Sequence, residues 1–136
     1  MDLIPLLEMM RDQKGSDLFL TVGLPPAMKV DGRIKPVSEE AVEADVAMEV
    51  VTSMMTPAQR EEFDATHECN FAIGEKGVGR FRASAFIQRG QAGVILRRIE
   101  TYIPSMEELR LPPILKNLAM TKRGLIIFIC ATGTGK

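Results

Sequence analysis

Two stretches early in the chain space their hydrophobic residues three or four positions apart, which is the period of an α-helix. The first covers residues 3–14, where Gly15 predicts the end of the helix, and the second covers residues 39–55. A third, short helix is predicted to begin after Thr56, because Thr56-Pro57-Ala58-Gln59 combines a capping-box pattern with proline at the first helical position.

Alternating apolar and polar residues predict strands in the segments around these helices. The predicted strands cover residues 17–22, 27–30, 33–37, 69–73, 79–88 and 92–99. Asp31-Gly32 is a strong hairpin signal, and turns that contain glycine join the last three strands into an antiparallel meander. An antiparallel sheet with helices packed on part of it belongs to the α+β fold class.

The pattern changes after Glu100, and a domain boundary is predicted near residue 101. Pro112-Pro113 opens a predicted helix over residues 114–120. Residues 125–129 are an almost uninterrupted apolar run, which is typical of a strand buried on both faces of a parallel α/β sheet. The predicted organisation is a first domain over residues 1–100, a linker over residues 101–112 and the beginning of a second domain over residues 113–136.

The composition disfavours several classes of partner. With 17 basic and 18 acidic residues, the chain has a net charge of −1 and no excess positive charge to attract nucleic acid or an anionic membrane. Its longest apolar run is far shorter than the roughly 20 residues of a membrane-spanning helix, and its first residues lack the basic start of a signal peptide. We therefore expect a cytoplasmic protein without membrane insertion, in which Cys69 and Cys130 are reduced.

A candidate phosphate-binding loop directly follows the predicted buried strand. In Ala131-Thr132-Gly133-Thr134-Gly135-Lys136, the glycines allow backbone N–H groups to approach phosphate oxygens, and the lysine can reach the terminal phosphates. The match is incomplete, because Cys130 occupies the first glycine of the pattern and the Ser or Thr expected after the lysine lies past Lys136. The alternative is a Gly/Thr-rich turn after a core strand. Because groups that hold Mg²⁺ and orient water are not in this sequence, we expect the 136-residue chain alone to be inactive.

Arginines form the second candidate site. Alternation places Phe81, Ala83 and Ala85 on one face of their strand and Arg82 on the other. It places Arg97 on a face with Ile95 and Ile99. An arginine among apolar neighbours needs an anion or a carboxylate to offset its desolvation. Arginines at a solvated sheet rim or in internal ion pairs explain the pattern equally well, and alternation alone does not decide between Arg97 and Arg98.

A set of segments distributed nearly end to end forms a more specific pattern than the loop alone. These segments are Gly15-Ser16-Asp17-Leu18-Phe19-Leu20, Pro25-Pro26-Ala27-Met28-Lys29-Val30-Asp31-Gly32, His67-Glu68-Cys69-Asn70-Phe71-Ala72-Ile73, Gly79-Arg80-Phe81-Arg82, Leu96-Arg97-Arg98-Ile99-Glu100, Thr121-Lys122-Arg123-Gly124 and Ala131-Thr132-Gly133-Thr134-Gly135-Lys136. Together they resemble the type IV pilus retraction (twitching motility) ATPases of the PilT and PilU type, within the secretion ATPase superfamily. The segments around Cys69 and Arg97 are more similar to the PilU type.

This resemblance implies a PAS-like amino-terminal domain over about residues 1–100, followed by the truncated start of a RecA-like α/β domain that includes the P-loop at residues 131–136. It implies a ring of six subunits, in which the amino-terminal domain packs on the motor domain of a neighbour, and ATP with Mg²⁺ binds between the two domains of a chain. Arginines of the amino-terminal sheet reach towards the phosphates in such ATPases, and the matching positions are Arg82 and Arg97. Cys130 departs from the usual glycine, so we expect it to affect how tightly nucleotide binds.

The resemblance also implies where the protein works and what it contacts. The expected location is the cytoplasmic side of the inner membrane at the pilus base, and the expected partners are further copies of the chain, a paralogous retraction ATPase and inner-membrane pilus base proteins. Two other functions stay open: a non-enzymatic docking module that tethers a paralogous retraction ATPase, and the amino-terminal domain of a type II secretion ATPase. A ligand-sensing PAS domain is disfavoured, because the sequence supplies no haem ligand or flavin-reactive cysteine in an identifiable pocket.

Overall fold

A computed structural model describes residues 1–129 and divides the chain into two units, Met1–Glu100 and Thr101–Lys136. The helices of the first unit are α1 (Ile4–Asp12), α2 (Ala44–Ser53) and α3 (Pro57–Thr66). Its strands are β1 (Asp17–Thr21), β2 (Ala27–Val30), β3 (Arg33–Pro36), β4 (Glu68–Glu75), β5 (Gly79–Gln88) and β6 (Gln91–Ile99). The second unit contains α4 (Ile114–Ala119).

The six strands form one antiparallel sheet in the order β3-β2-β1-β6-β5-β4. β1 therefore lies near the centre of the sheet, between β2 and β6, although β6 is the last strand along the chain. All six strands predicted within residues 1–100 are present, with ends that differ from the prediction by at most two residues. The antiparallel sheet and its helices confirm the α+β fold class.

Two tight turns determine how neighbouring strands align. Asp31 and Gly32 have φ angles of 49° and 77°, and Arg89 and Gly90 have φ angles of 53° and 75°. Positive φ at both central residues is the type I′ geometry, whose twist suits a two-residue hairpin. The second turn pairs the two strands that carry the candidate arginines, so their register is fixed locally.

The hydrophobic core lies between one face of the sheet and the three helices of the first unit. Phe63 of α3 and Phe81 of β5 are fully buried there. The other core residues include Leu7, Met10, Leu18, Leu20, Met28, Val50, Val51, Phe71, Val94 and Leu96. Because burial of one such side chain contributes about 1.5–3 kcal/mol, the core fixes which face of the sheet is left for other contacts.

The prediction that the second helix begins at residue 39 was wrong. The backbone N–H of Val42 donates to the carbonyl of Leu24 at 3.0 Å, and the carbonyl of Val42 accepts from Gly23 at 2.9 Å. These bonds hold Val42 in an extended bridge beside Val22, so the helix begins only at Ala44.

Gly15 follows the first helix, as predicted, but it is not the residue that takes the positive φ at the end of the helix. Lys14 takes the left-handed conformation, with a φ of 54°, and the N–H of Gly15 donates to the carbonyl of Met10 at 2.8 Å in a Schellman pattern. A Cβ at Gly15 would lie 2.5 Å from the sulfur of Met28. Glycine is therefore favoured here because the buried side chain of Met28 occupies the space that a Cβ would take.

In the second unit, the predicted helix over residues 114–120 is present as α4, whereas the predicted strand over residues 125–129 is not formed. Leu125 and Ile129 are 82% and 92% exposed. A strand buried on both faces needs strands beside it and helices over its two faces, and the described part of this unit contains no strand. The assignment of residues 101–112 as a linker, and of residues 113–136 as the start of a RecA-like domain, stays a prediction.

Candidate functional site

A row of charged residues crosses the sheet on the face opposite the core. Antiparallel pairing aligns Lys29 of β2 with Asp17 of β1, Asp17 with Arg97 of β6, and Arg97 with Arg82 of β5. Residues directly opposite each other have Cβ atoms about 4.5–5.5 Å apart. The two arginines that the sequence singled out on separate strands are therefore direct neighbours, with a carboxylate beside them.

Asp17 is the fixed negative charge of this row. It is 5% exposed, and its Oδ1 accepts a hydrogen bond from Nε of Arg97 at 2.8 Å while its Oδ2 accepts one from Oγ of Ser16 at 2.8 Å. Burial by itself would raise the pKa of Asp17. The two hydrogen bonds and the positive charges of Arg97 and Lys29 outweigh burial and hold the pKa below its ordinary value. Asp17 is therefore ionised at neutral pH.

The two arginines keep most of their donors available. The side chain of Arg97 is 70% exposed, and within residues 1–129 its terminal nitrogens make no hydrogen bond. Arg82 is exposed, and its side chain makes no hydrogen bond to any residue that the structure describes. Like charges directly opposite each other destabilise a sheet, and of the two arginines only Arg97 forms an ion pair with Asp17 in the described part of the chain. An anion with several oxygens can contact both guanidinium groups at once.

Arg98 lies on the other face of β6. Its side chain is 18% exposed, and its Nη2 lies 2.5 Å from Oε2 of Glu100. Its backbone N–H donates to the carbonyl of Ser16 at 3.0 Å, at the end of the β1–β6 pairing. Alternation left the choice between Arg97 and Arg98 open, and the structure places Arg97 on the face that Arg82 occupies.

Comparison with known proteins shows the family. The chain is 55% identical over all 136 residues to the type IV pilus ATPase PilU of Pseudomonas aeruginosa, and 35% identical over the same length to the type IV pilus retraction ATPase PilT of that organism. The chain belongs to the PilT and PilU family of type IV pilus ATPases. It spans 36% of that PilU and 40% of that PilT. No protein-family model matches it.

A solved structure of a PilT-family member supports the same assignment. The crystal structure of the pilus retraction motor PilT with bound ADP matches this chain with a TM-score of 0.77 and 31% identity, over 87% of this chain and 35% of that one. Both the family and the greater similarity to PilU were predicted from the sequence, and both are confirmed. The roles of Arg82 and Arg97 at a nucleotide stay predictions.

The candidate P-loop at residues 131–136, together with Cys130, lies outside the residues that the structure describes. Its prediction therefore rests on the sequence. Within residues 1–129, no helix is long and apolar enough to cross a membrane.

Cys69 and His67, two residues of types that can bind metal ions, do not form a site within residues 1–129. Cys69 is 2% exposed; burial raises the pKa of its thiol, and the negative charge of Glu62 with a hydrogen bond to it raises the pKa further. His67 is exposed and caps α3 with a φ of 62°. In the described part of the chain, no three His, Cys, Asp or Glu side chains are grouped so that they could hold a metal ion.

Sequence reasoning missed Asp17 and Lys29 as parts of the row. Both residues lie in the segments that carry the family resemblance, but alternation marks them only as facing away from the core. The contact between Asp17 and Arg97 joins residues 80 positions apart, through strands that no hairpin connects. The available signal was the Ser16-Asp17 pair at the start of a strand that is otherwise apolar, because a carboxylate there needs a partner when it is buried.

Proposed function

We propose that this chain is part of an ATPase that couples hydrolysis of Mg²⁺-bound ATP to retraction of a type IV pilus. The identity to PilU and PilT over the whole chain supports this proposal. In the proposed protein, residues 1–100 dock on a neighbouring subunit and supply Arg82 and Arg97 to the phosphates of ATP. Residues 131–136 form the loop that cradles those phosphates.

The observation that carries the proposal is the direct opposition of Arg82 and Arg97 on one exposed sheet face. Guanidinium groups are planar, always charged and able to bond two oxygens at once, so two of them side by side suit the adjacent phosphates of a nucleoside triphosphate. Arginines that stabilise the charge of a phosphoryl-transfer transition state contribute about 10³–10⁵ in kcat. The row therefore provides the type of group that such a reaction uses.

The proposal includes the assembly in which these arginines act. Six copies form a ring, with ATP between the two domains of each chain. A paralogous retraction ATPase and inner-membrane proteins of the pilus base are the further partners, on the cytoplasmic side of the inner membrane. The similarity of this chain to the pilus retraction motor PilT supports this setting.

The test is ATP hydrolysis by the full-length protein, which continues past Lys136 in this proposal. We expect Arg82→Ala, Arg97→Ala and Lys136→Ala each to lower kcat by at least about a hundredfold. Arg98→Ala is the matched control, because it removes an arginine from the next position on the other face, and its kcat should stay near that of the unchanged protein. Full activity in both Arg82→Ala and Lys136→Ala would show that the proposal is wrong.

A second candidate function is a non-enzymatic docking module for a paralogous retraction ATPase. The observation that favours it is Cys130, which stands where the P-loop pattern has its first glycine. Titration of the full-length protein with Mg²⁺-ATP separates the two functions. Tight binding that Cys130→Gly leaves unchanged supports the ATPase, whereas binding that appears only in Cys130→Gly supports the docking module.

A further inference from the structure

Asp17 is the one charged residue that is buried within residues 1–129. Removing a carboxylate from water is costly unless hydrogen bonds and opposite charges compensate. Here both oxygens are bonded, one to Ser16 and one to Arg97. A buried carboxylate with this set of partners constrains where those partners can lie.

The two members of the ion pair are not equivalent. The side chain of Asp17 is 7% exposed, and its strand is paired on both sides, with β2 and with β6. The side chain of Arg97 is 70% exposed, so it has room to take other positions. The carboxylate is therefore the fixed member, and its contact selects one position of the guanidinium.

The contact with Asp17 uses one of the five N–H donors of Arg97. Asp17 binds Nε of Arg97, and the terminal nitrogens Nη1 and Nη2 make no hydrogen bond within residues 1–129. Those two nitrogens carry four of the five N–H groups of an arginine side chain. They remain available beside Arg82, and the row as a whole, with Lys29, carries more positive than negative charge.

We propose that Asp17 is a positioning residue, which holds Arg97 through Nε so that its terminal nitrogens face an anion together with Arg82. This inference rests on the proposed function, which identifies the anion as the phosphate groups of ATP. Its alternative is a merely structural role, in which the ion pair stabilises the first unit and does nothing for the nucleotide. Because both roles predict some loss of stability, stability alone does not separate them.

The first experiment tests the position of Arg97 without any nucleotide or enzymatic activity. In the 136-residue chain labelled with ¹⁵N, the Nε proton of Arg97 is expected to exchange with water more slowly than that of Arg82, which serves as the internal control. Asp17→Asn should weaken this protection, since a neutral amide is a weaker acceptor than a carboxylate. Equal exchange at the two arginines contradicts the proposal, and this result does not depend on whether Asp17→Asn folds.

The second experiment is a double-mutant cycle on ATP hydrolysis by the full-length protein. Asp17→Asn should lower kcat by about tenfold to a hundredfold, as misplacement of a catalytic group by about 1 Å does. In the Arg97→Ala background the same substitution should change kcat by less than about twofold, because the group that it positions is gone. Phe63→Leu is the structural control, and it should lower the unfolding midpoint without this dependence on Arg97.

The possible outcomes separate this inference from the proposed function. If Arg97→Ala lowers kcat and Asp17→Asn does not, the positioning role is wrong and the ATPase proposal stands. If Asp17→Asn lowers kcat by the same factor with and without Arg97, the role is structural and the inference is overturned. If Arg82→Ala, Arg97→Ala and Lys136→Ala are all fully active, the assignment of these residues to the ATP site is wrong, and the positioning role of Asp17 at the nucleotide is wrong as well.

Discussion

Gly93 and Phe86 provide a sharp test of packing on the sheet face that carries the arginines. They are directly opposite each other in β6 and β5, and a Cβ built at Gly93 would lie 2.8 Å from Cζ and 2.9 Å from Cε2 of the Phe86 ring. The next contact would be the carbonyl oxygen of Leu20 at 3.2 Å. The ring therefore occupies the space that any larger residue at Gly93 requires.

The expected effect of Gly93→Ala is the difference between two opposing terms. Displacing the ring to an ordinary contact distance is overpacking, which costs about 1–3 kcal/mol. Replacing glycine in an extended strand stabilises by about 0.4–1 kcal/mol, because the unfolded chain loses conformational freedom. The net change in the free energy of unfolding then lies between no change and a loss of about 2.5 kcal/mol. In a Phe86→Ala background the first term disappears, and Gly93→Ala should stabilise the fold by about 0.4–1 kcal/mol.

The assay is urea denaturation of the 136-residue chain followed by far-UV circular dichroism, for the four proteins of the cycle. A coupling free energy of about 1–3 kcal/mol between Gly93 and Phe86, the size of the overpacking term, is expected. Gly74→Ala is the control, since a Cβ at Gly74 meets no atom within 4 Å. The reasoning is refuted if Gly93→Ala costs the same in both backgrounds, because the ring would then not be the obstacle.

Two further predictions concern titratable groups. The pKa of Asp17 in the folded state lies below the unfolded value of about 3.9, so its charged form stabilises the fold above that pH and this contribution is lost as the pH falls through the folded pKa. Urea denaturation measures the free energy of unfolding of the unchanged chain and of Asp17→Asn. The difference between the two should be constant from about pH 5 to 8 and shrink below about pH 4. A difference that is constant down to pH 2 would contradict this prediction. Alkylation of Cys69, followed by mass spectrometry of its peptide, should be at least about tenfold slower in the folded chain than in urea, and it should stay slow in Glu62→Gln because burial remains. Equal rates in the folded and unfolded chain would rule out a protected thiol.

The parts of the fold that depend on local patterns could be predicted from the sequence. Alternation placed Phe81, Ala83 and Ala85 on one face of their strand, and all three are buried. Thr56 and Gln59 form both hydrogen bonds of the predicted capping box. Such features depend on residues a few positions apart, so a single sequence contains the information.

Segments whose partners lie elsewhere were predicted less well. The spacing that suggested a helix from residue 39 includes Val42, whose main-chain bonds to Gly23 and Leu24 prevent the helix from starting there. The apolar run over residues 125–129 suggested a buried strand, but burial needs neighbouring strands that the described residues do not supply. In both cases the spacing of apolar residues fits the predicted element. A nonlocal contact decided the structure at Val42, and the absence of neighbouring strands decided it at residues 125–129.

The register between β1 and β6 is such a nonlocal property, and the charged row shows how two sets of residues fix it. A slip of one residue would move Leu18 and Leu20 out of the core, because neighbouring residues of a strand face opposite sides. A slip of two residues would keep those leucines inside but would place Asp17 opposite Ile95 or Ile99 instead of Arg97. The buried carboxylate would then lose its charged partner. Breaking a buried ion pair typically costs about 3–5 kcal/mol, and the cost is smaller here because Arg97 is mostly exposed. The core therefore selects the face and the ion pair selects the alignment, which places Asp17 beside the same Arg97 that the β5–β6 hairpin sets opposite Arg82.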